Sequence, residues 1–243
     1  MSTQITTAFV EQYKSNVLHL AQQKGSRLRD SVRYESVTGK NHFFERIGAV
    51  SAQKRTSRHS DTPRMDTPHS RRRVSMDDYD WADLIDQEDK VRMLITPQSE
   101  YAMAGANAMG RAMDTAIIEA AVGNAYGGVA GGTTIALPSA QKIVHASGGL
   151  TVAKLLSAKE TLDGSDVDAE EERYCVLSAK QVTDLLNTTE IKSSDYNTVK
   201  ALAQGQLDTF LGFKFIRSER LGTDSDGNRQ VTVYCKSGLG LAM

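Results

Sequence analysis

Apolar positions recur with a clear period over some stretches of this chain and vanish over others. The longest periodic stretch is residues 96–122. There Tyr101, Ala104, Ala108, Met109, Ala112, Met113, Ala116, Ile117, Ala120 and Ala121 are spaced by threes and fours, the repeat of one helix face. Thr96 is placed to cap this helix and Pro97 to occupy its first position, where a missing N–H costs nothing. Some 25 residues at about 1.5 Å each make a rod of roughly 37 Å. Gly123 and the glycines after Tyr126 end it. Its stripe is mostly Ala, Gly and Met, so another segment can lie close along it. Tyr101, Ala108, Met109, Ala112, Met113 and Ile117 are its predicted packing positions.

Shorter patterns flank it. Phe9, Tyr13, Val17, Leu20 and Leu28 predict a helical arm in residues 1–33 with one narrow apolar face, which must pack on something else. Residues 34–50 read as strand pieces around a turn at 38–41, with Phe43, Phe44 and Ile47 as apolar content, and residues 90–95 as a short strand. Residues 124–138 read as a flexible glycine-rich hinge or surface loop. Residues 150–243 predict a compact α/β unit. It holds a helix over 150–162, a buried strand over 173–178 and a helix capped by Ser178. A further helix begins at Asp195, followed by an alternating strand in 207–218. After a turn at 222–228, residues 229–236 return as that strand's hairpin partner.

Charge changes this picture. Between Lys40 and Arg73 there are nine Lys/Arg against three Asp/Glu, a net of +6, with almost no apolar residue after Val50. Such a segment cannot fold alone; it is either disordered or an extended excursion that a partner stabilises. Residues 77–89 then carry seven acids and no base. This block either complements the basic excursion, within the chain or between copies, or is a solvated acidic loop. The whole 243-residue chain nets -1, so the segregation is invisible in the total.

Candidate chemistry is sparse. No HExxH, GxSxG, CxxC or phosphate-binding glycine motif occurs, and the five histidines are scattered. Asp224, Asp226 and Gly227 lack the further ligands of a calcium loop and read as a turn. Cys175 and Cys235 lie in strand-like runs with no metal or redox spacing; buried thiols are expected, with a disulfide left open. No run reaches 18 apolar residues, and the N-terminus lacks a secretory pattern. The expectation is a protein that is not an enzyme and needs no cofactor or metal. A nucleic-acid role for the basic stretch would be electrostatic and sequence-blind, because its aromatics are confined to Phe43 and Phe44.

The order of segments, with the runs 80–121, 173–186, 195–221 and 233–243, resembles the major capsid protein of tailed bacteriophages. The resemblance implies an α+β, Hong Kong 97-type fold. Its parts would be an N-terminal arm (1–33), an extended loop with flanking strands (34–95), the spine helix of a peripheral domain (96–125) and an axial domain (126–243). On this comparison the C-terminal return to the peripheral domain is expected to be absent. The implied function is self-assembly, as pentamers and hexamers, into an icosahedral shell around double-stranded DNA. Scaffold, portal and decoration proteins are the implied further partners. The implied location is the virion capsid, and the host cytoplasm during assembly, with no membrane. A covalent Lys–Asn link, as in some members, finds Lys40 and Lys54 available but no motif for the reaction. The expected contacts between copies pair Lys54, Arg55, Arg58, Arg71, Arg72 and Arg73 with Asp77, Asp78, Asp80 and Asp83. Reversal of Arg71–Arg73 to Glu is expected to abolish shells and leave folded subunits. The alternatives are an encapsulin-like nanocompartment shell with protein cargo, and a nucleic-acid-binding protein using the basic segment.

Overall fold

A computed structural model describes residues 22–58, 61–62, 64–82, 97–145, 148–187 and 209–243. The expected helix of the N-terminal arm, the Thr96 cap, the strand at 90–95, the helix from Asp195 and the site residue Asp83 lie outside the described residues. The chain divides into two compact units: residues 1–26 with 78–114, and residues 27–77 with 115–243. The long helix α1 (Pro97–Val122) contributes to both.

In the first unit, segment 22–26 lies against α1 where the helix carries glycine. A Cβ at Gly110 would come within 2.4 Å of the Gly25 carbonyl carbon and 2.6 Å of the Ser26 nitrogen. Only glycine permits this approach. Helix side chains then hold the segment. Asn107 accepts the Gly25 N–H at 3.0 Å, and the Asp114 carboxylate accepts from Gln23 Nε2 and Ser26 Oγ, each at 2.5 Å. Arg111 donates to Gln22 Oε1 at 2.8 Å. Trp81 lies over Gly105, where a Cβ would meet its ring at 2.8 Å. The buried side of this part of α1 is therefore Gly105, Gly110 and Asp114 rather than the predicted Ala/Met stripe.

The second unit holds every described strand. One sheet has the order β7-β8-β6-β9, with β6 (Arg173–Leu177), β7 (Thr209–Phe210), β8 (Phe213–Arg217) and β9 (Thr232–Cys235). Helices α2 (Val152–Asp163) and α3 (Ala179–Leu186) pack against it. Leu155, Cys175, Leu177, Leu185 and Phe213 form its core. Ser178 precedes α3 with extended backbone, and Gln181 Oε1 accepts its N–H at 2.8 Å, closing the first turn.

Two expectations are corrected here. The stretch 207–218 is not one strand. It folds back at Leu211 (φ 55°) and Gly212 (φ 85°), the two left-handed residues of a tight hairpin turn. Residues 229–236 do not pair with β8. The fully buried β6 takes the centre, parallel to β8 and antiparallel to β9, because it is the run apolar enough for a position covered on both sides.

A second sheet has the order β2-β3-β4-β5, with β2 (Asn41–Ile47), β3 (His69–Ser75), β4 (Ala125–Gly127) and β5 (Thr133–Ile135). The basic excursion thus ends in a seven-residue strand paired with β2, not in irregular chain. The glycine-rich run 124–138 is likewise a hairpin rather than a free loop. Gly131 (φ 67°) sits in its turn against the aliphatic stem of Arg73, where a Cβ would be 2.5 Å away. A parallel pair joins β1 (Arg33–Glu35) to β10 (Gly240–Ala242).

Candidate assembly surface

The β2–β3 hairpin carries most of the predicted contact residues. Asn41 pairs with Ser75 and Ile47 with His69, with no break between. Directly opposite residues share a face, so Phe43, Glu45, Arg71 and Arg73 lie on one side, and His42, Phe44, Arg46 and Arg72 on the other. On the first face Arg71 donates to Glu45 at 2.9 Å and its guanidinium lies 5.5 Å from the Phe43 ring centre. Arg73 stands 5.5 Å over Tyr126 of β4, and its Nε is buried with no hydrogen-bond partner. On the second face Phe44 covers Gly240, whose added Cβ would come to 2.7 Å from the ring.

The three consecutive arginines are therefore not equivalent. Arg71, with 40% of its side chain exposed, pairs with Glu45 of the chain's own sheet. Arg72 lies beside Gly127, and Arg73 packs on Tyr126 and Gly131. Reversing all three would damage the chain's own sheet. R71E/R72E/R73E therefore bears on the chain's own sheet as well as on any contact between copies. Lys54, Arg55 and Arg58 lie in the exposed connection beyond β2, where Arg55 donates to the Arg58 carbonyl at 3.0 Å. Asp77, Asp78 and Asp80 are exposed and have no ion-pair partner among the described residues. Tyr79 and Trp81 beside them are 52% and 44% exposed.

Of the predicted helix positions, Ile117 is buried, while Tyr101, Ala108, Ala112 and Met113 are partly buried. Met109 is 39% exposed in the single chain. The Gly110–Asp114 clamp was missed. Its signal was available: Asp114 is an acid four residues after a glycine and three before Ile117, on the side of the helix that buries.

The base of the hairpin is tied to β1. His42 Nε2 lies 2.9 Å from Glu35 Oε2. That hydrogen bond, with the one from Arg33, holds the Glu35 carboxyl below its usual range. At the end of β6, Glu172 accepts from Lys214 and, at 2.8 Å, from the Tyr174 hydroxyl. Lys214 and then Tyr174 hold it down at about 2. Burial, reinforced by Glu172, raises the Tyr174 phenol to about 12. Cys175 and Cys235 are free, buried thiols. Burial pushes the first to about 12 and raises the second. These groups form structural ion pairs and core, not a nucleophile with a neighbouring base. Among the described residues no group of three His, Cys, Asp or Glu could hold a metal ion, and no helix is long and apolar enough to cross a membrane.

A long helix crossing two units, a core α/β sheet and a charged hairpin built on its own sheet define a Hong Kong 97-type capsid subunit, and solved structures share this fold. The capsid of cyanophage P-SCSP1u matches with a TM-score of 0.69 at 19% identity, over 100% of this chain and 82% of that one. The capsid of Ralstonia phage GP4 matches with a TM-score of 0.70 at 10% identity, over 96% and 81%. A Mycobacterium phage Che8 chain matches with a TM-score of 0.66 at 16% identity, over 96% and 83%. No curated protein is detectably similar in sequence. The model of the phage capsid protein family matches residues 5–243, and the chain belongs to that family. It is a structural protein of a bacteriophage shell, the major capsid protein.

Proposed function

We propose that copies of this chain close an icosahedral shell around double-stranded DNA through the exposed basic and acidic stretches that precede α1 in the chain. Family membership over residues 5–243 carries the reading. The exposed cations Arg55 and Arg58, and the exposed acids Asp77, Asp78 and Asp80 without ion-pair partners among the described residues, support it. Two unlike patches of opposite sign on one chain favour head-to-tail contacts, the kind that closes rings. In this reading 1–33 is an arm, 34–95 the extended loop, 96–125 the spine and 126–243 the axial domain. The role is structural rather than catalytic. DNA is enclosed without sequence-specific contact, assembly takes place in the host cytoplasm, and scaffold, portal and decoration proteins are further partners.

Negative-stain microscopy and light scattering of the expressed chain test the reading. Regular closed particles of megadalton mass are expected. A monodisperse subunit under all assembly conditions refutes it, and particles from phage-infected cells that hold protein cargo instead of DNA favour a nanocompartment. The double reversal R55E/R58E, on exposed positions, is expected to cut particle yield with the subunit's thermal melt unchanged. Unaltered yield removes these two residues from the contact.

A further inference from the structure

We propose that the contact between His42 and Glu35 is a proton-dependent tie, which fastens the base of the β2–β3 hairpin to β1 more firmly when the imidazole is charged. The hairpin follows β1 after the link 36–40, where Gly39 (φ 126°) takes a backbone conformation that other residues rarely adopt. β1 is fixed in turn to β10. Beside their parallel pairing, the Met243 N–H donates to the Glu35 carbonyl at 3.1 Å and the Val37 N–H to the Met243 carbonyl at 2.8 Å. Side chains then join this pair to the hairpin. The Phe44 ring covers Gly240 and lies 5.6 Å from the Arg33 guanidinium, and His42 Nε2 lies 2.9 Å from Glu35 Oε2. Of these contacts, the last is the one whose charge a mild change of pH can alter, because a histidine side chain gains or loses its charge between about pH 5 and 8.

The surroundings fix the sign. Glu35 accepts from His42 at one carboxylate oxygen and from Arg33 at the other. The first bond, and then the second, hold its carboxyl below the usual range, so it stays an anion while the imidazole changes charge. A neutral His42 donates to Glu35 only as the tautomer with its proton on Nε2. The charged ring donates from both nitrogens and adds an ion pair to the bond. The charged groups around it are Arg33 and Glu35 on β1 and, on its own face of the hairpin, Arg46 on β2 and Arg72 on β3. Val74 stands opposite His42, and Gly240–Ala242 of β10 carry no ionisable side chain. The arginines keep their charge throughout, and the opposite charge of Glu35 at hydrogen-bond distance outweighs their repulsion. Protonation therefore tightens the tie, and a rise in pH loosens it.

Amide hydrogen exchange on the full chain as free subunits reads the tie, with each rate divided by that of an unfolded peptide at the same pH. The reporters are the Met76 N–H, which donates to the Lys40 carbonyl at 2.9 Å at the hairpin base, and the Met243 N–H on Glu35. Between about pH 5.5 and about pH 7.5 their protection is expected to fall about fivefold in the wild type. It is expected to stay constant in His42→Gln, which keeps a donor but gains no charge, and in Glu35→Gln, which keeps an acceptor without the charge. Constant protection in the wild type overturns the proposal, and so does an equal fall in either variant. Each variant removes one half of the pair, so whichever folds decides. Should neither fold, the wild type in about 1 M salt decides: screening is expected to shrink the fall at least twofold, and an undiminished fall overturns the ion pair as its source.

Discussion

Gly110→Ala sets two effects of opposite sign against each other on one residue. In an isolated helix alanine is favoured over glycine by about 1 kcal/mol, so propensity alone predicts a more stable protein. The tertiary contact predicts the reverse. The new Cβ would lie 2.4 Å from the Gly25 carbonyl carbon, where ordinary contact begins at 3.4 Å, and the obstacle is backbone rather than a movable side-chain tip. Segment 22–26 must back away by about 1 Å to restore a normal contact. That shift takes the Gly25 N–H···Asn107 bond from 3.0 Å, and the Ser26–Asp114 bond from 2.5 Å, to or past the limit of a hydrogen bond. The first contributes about 1 kcal/mol and the second, to a carboxylate, about 1.5–3 kcal/mol. Their loss less the propensity gain leaves about 1.5–3 kcal/mol of net destabilisation. Urea denaturation of the dissociated subunit, followed by far-ultraviolet circular dichroism, measures it, with Ala106→Gly on the exposed side of the same helix as reference. The reference should lose about 1 kcal/mol by propensity alone. A G110A subunit as stable as wild type, or more so, would refute the close-approach reasoning.

Phe213 and Leu155 are fully buried where β8 and α2 meet the sheet core, so Phe213→Ala and Leu155→Ala should each cost about 3–5 kcal/mol by urea titration. Cys175 and Cys235 should resist alkylation at pH 8 in the native subunit and react after denaturation, because both are buried and their thiols are raised; mass spectrometry counts the adducts. Glu172 titrates lower in the folded chain, about 2, than its ordinary 4.5. Its contribution is therefore present above pH 4.5 and is lost as pH falls from there toward 2. Glu172→Gln should flatten the acid dependence of the urea midpoint within that window, and an unchanged slope counts against the Lys214–Glu172 pair as its source.

The α1 period and the 173–186 strand-and-helix were legible because their side chains follow the element they build. β6 is apolar throughout, and Ser178 with Gln181 is a capping pair written three residues apart. The misread segments are those whose conformation depends on a neighbour. Periodicity places 229–236 beside the nearest strand in sequence. Its actual position on β6 is decided by which strand best fills the centre of the sheet, a competition no local pattern records. Gly105 and Gly110 are not among the periodic apolar positions of α1. Their purpose appears only when Trp81 and segment 22–26 are seen against them.

The arginine strand is the sharpest of these cases. A run reading His-Ser-Arg-Arg-Arg-Val-Ser has the composition of disordered chain, yet it forms seven consecutive pairs with β2. Its apolar content is supplied by the arginines themselves. The Arg73 stem packs on Gly131, and the guanidinium planes of Arg71 and Arg73 lie over Phe43 and Tyr126. A strand held this way is half-buried without being hydrophobic, so it leaves cations at the surface of a rigid sheet instead of on a loose tether. Rigidity matters for assembly. A disordered basic segment must lose its conformational freedom on docking, whereas a preformed hairpin has already done so during folding. The +6 segment that looked unable to fold is thus anchored in an ordered sheet, and its charge at Arg55 and Arg58 is carried next to a preformed hairpin.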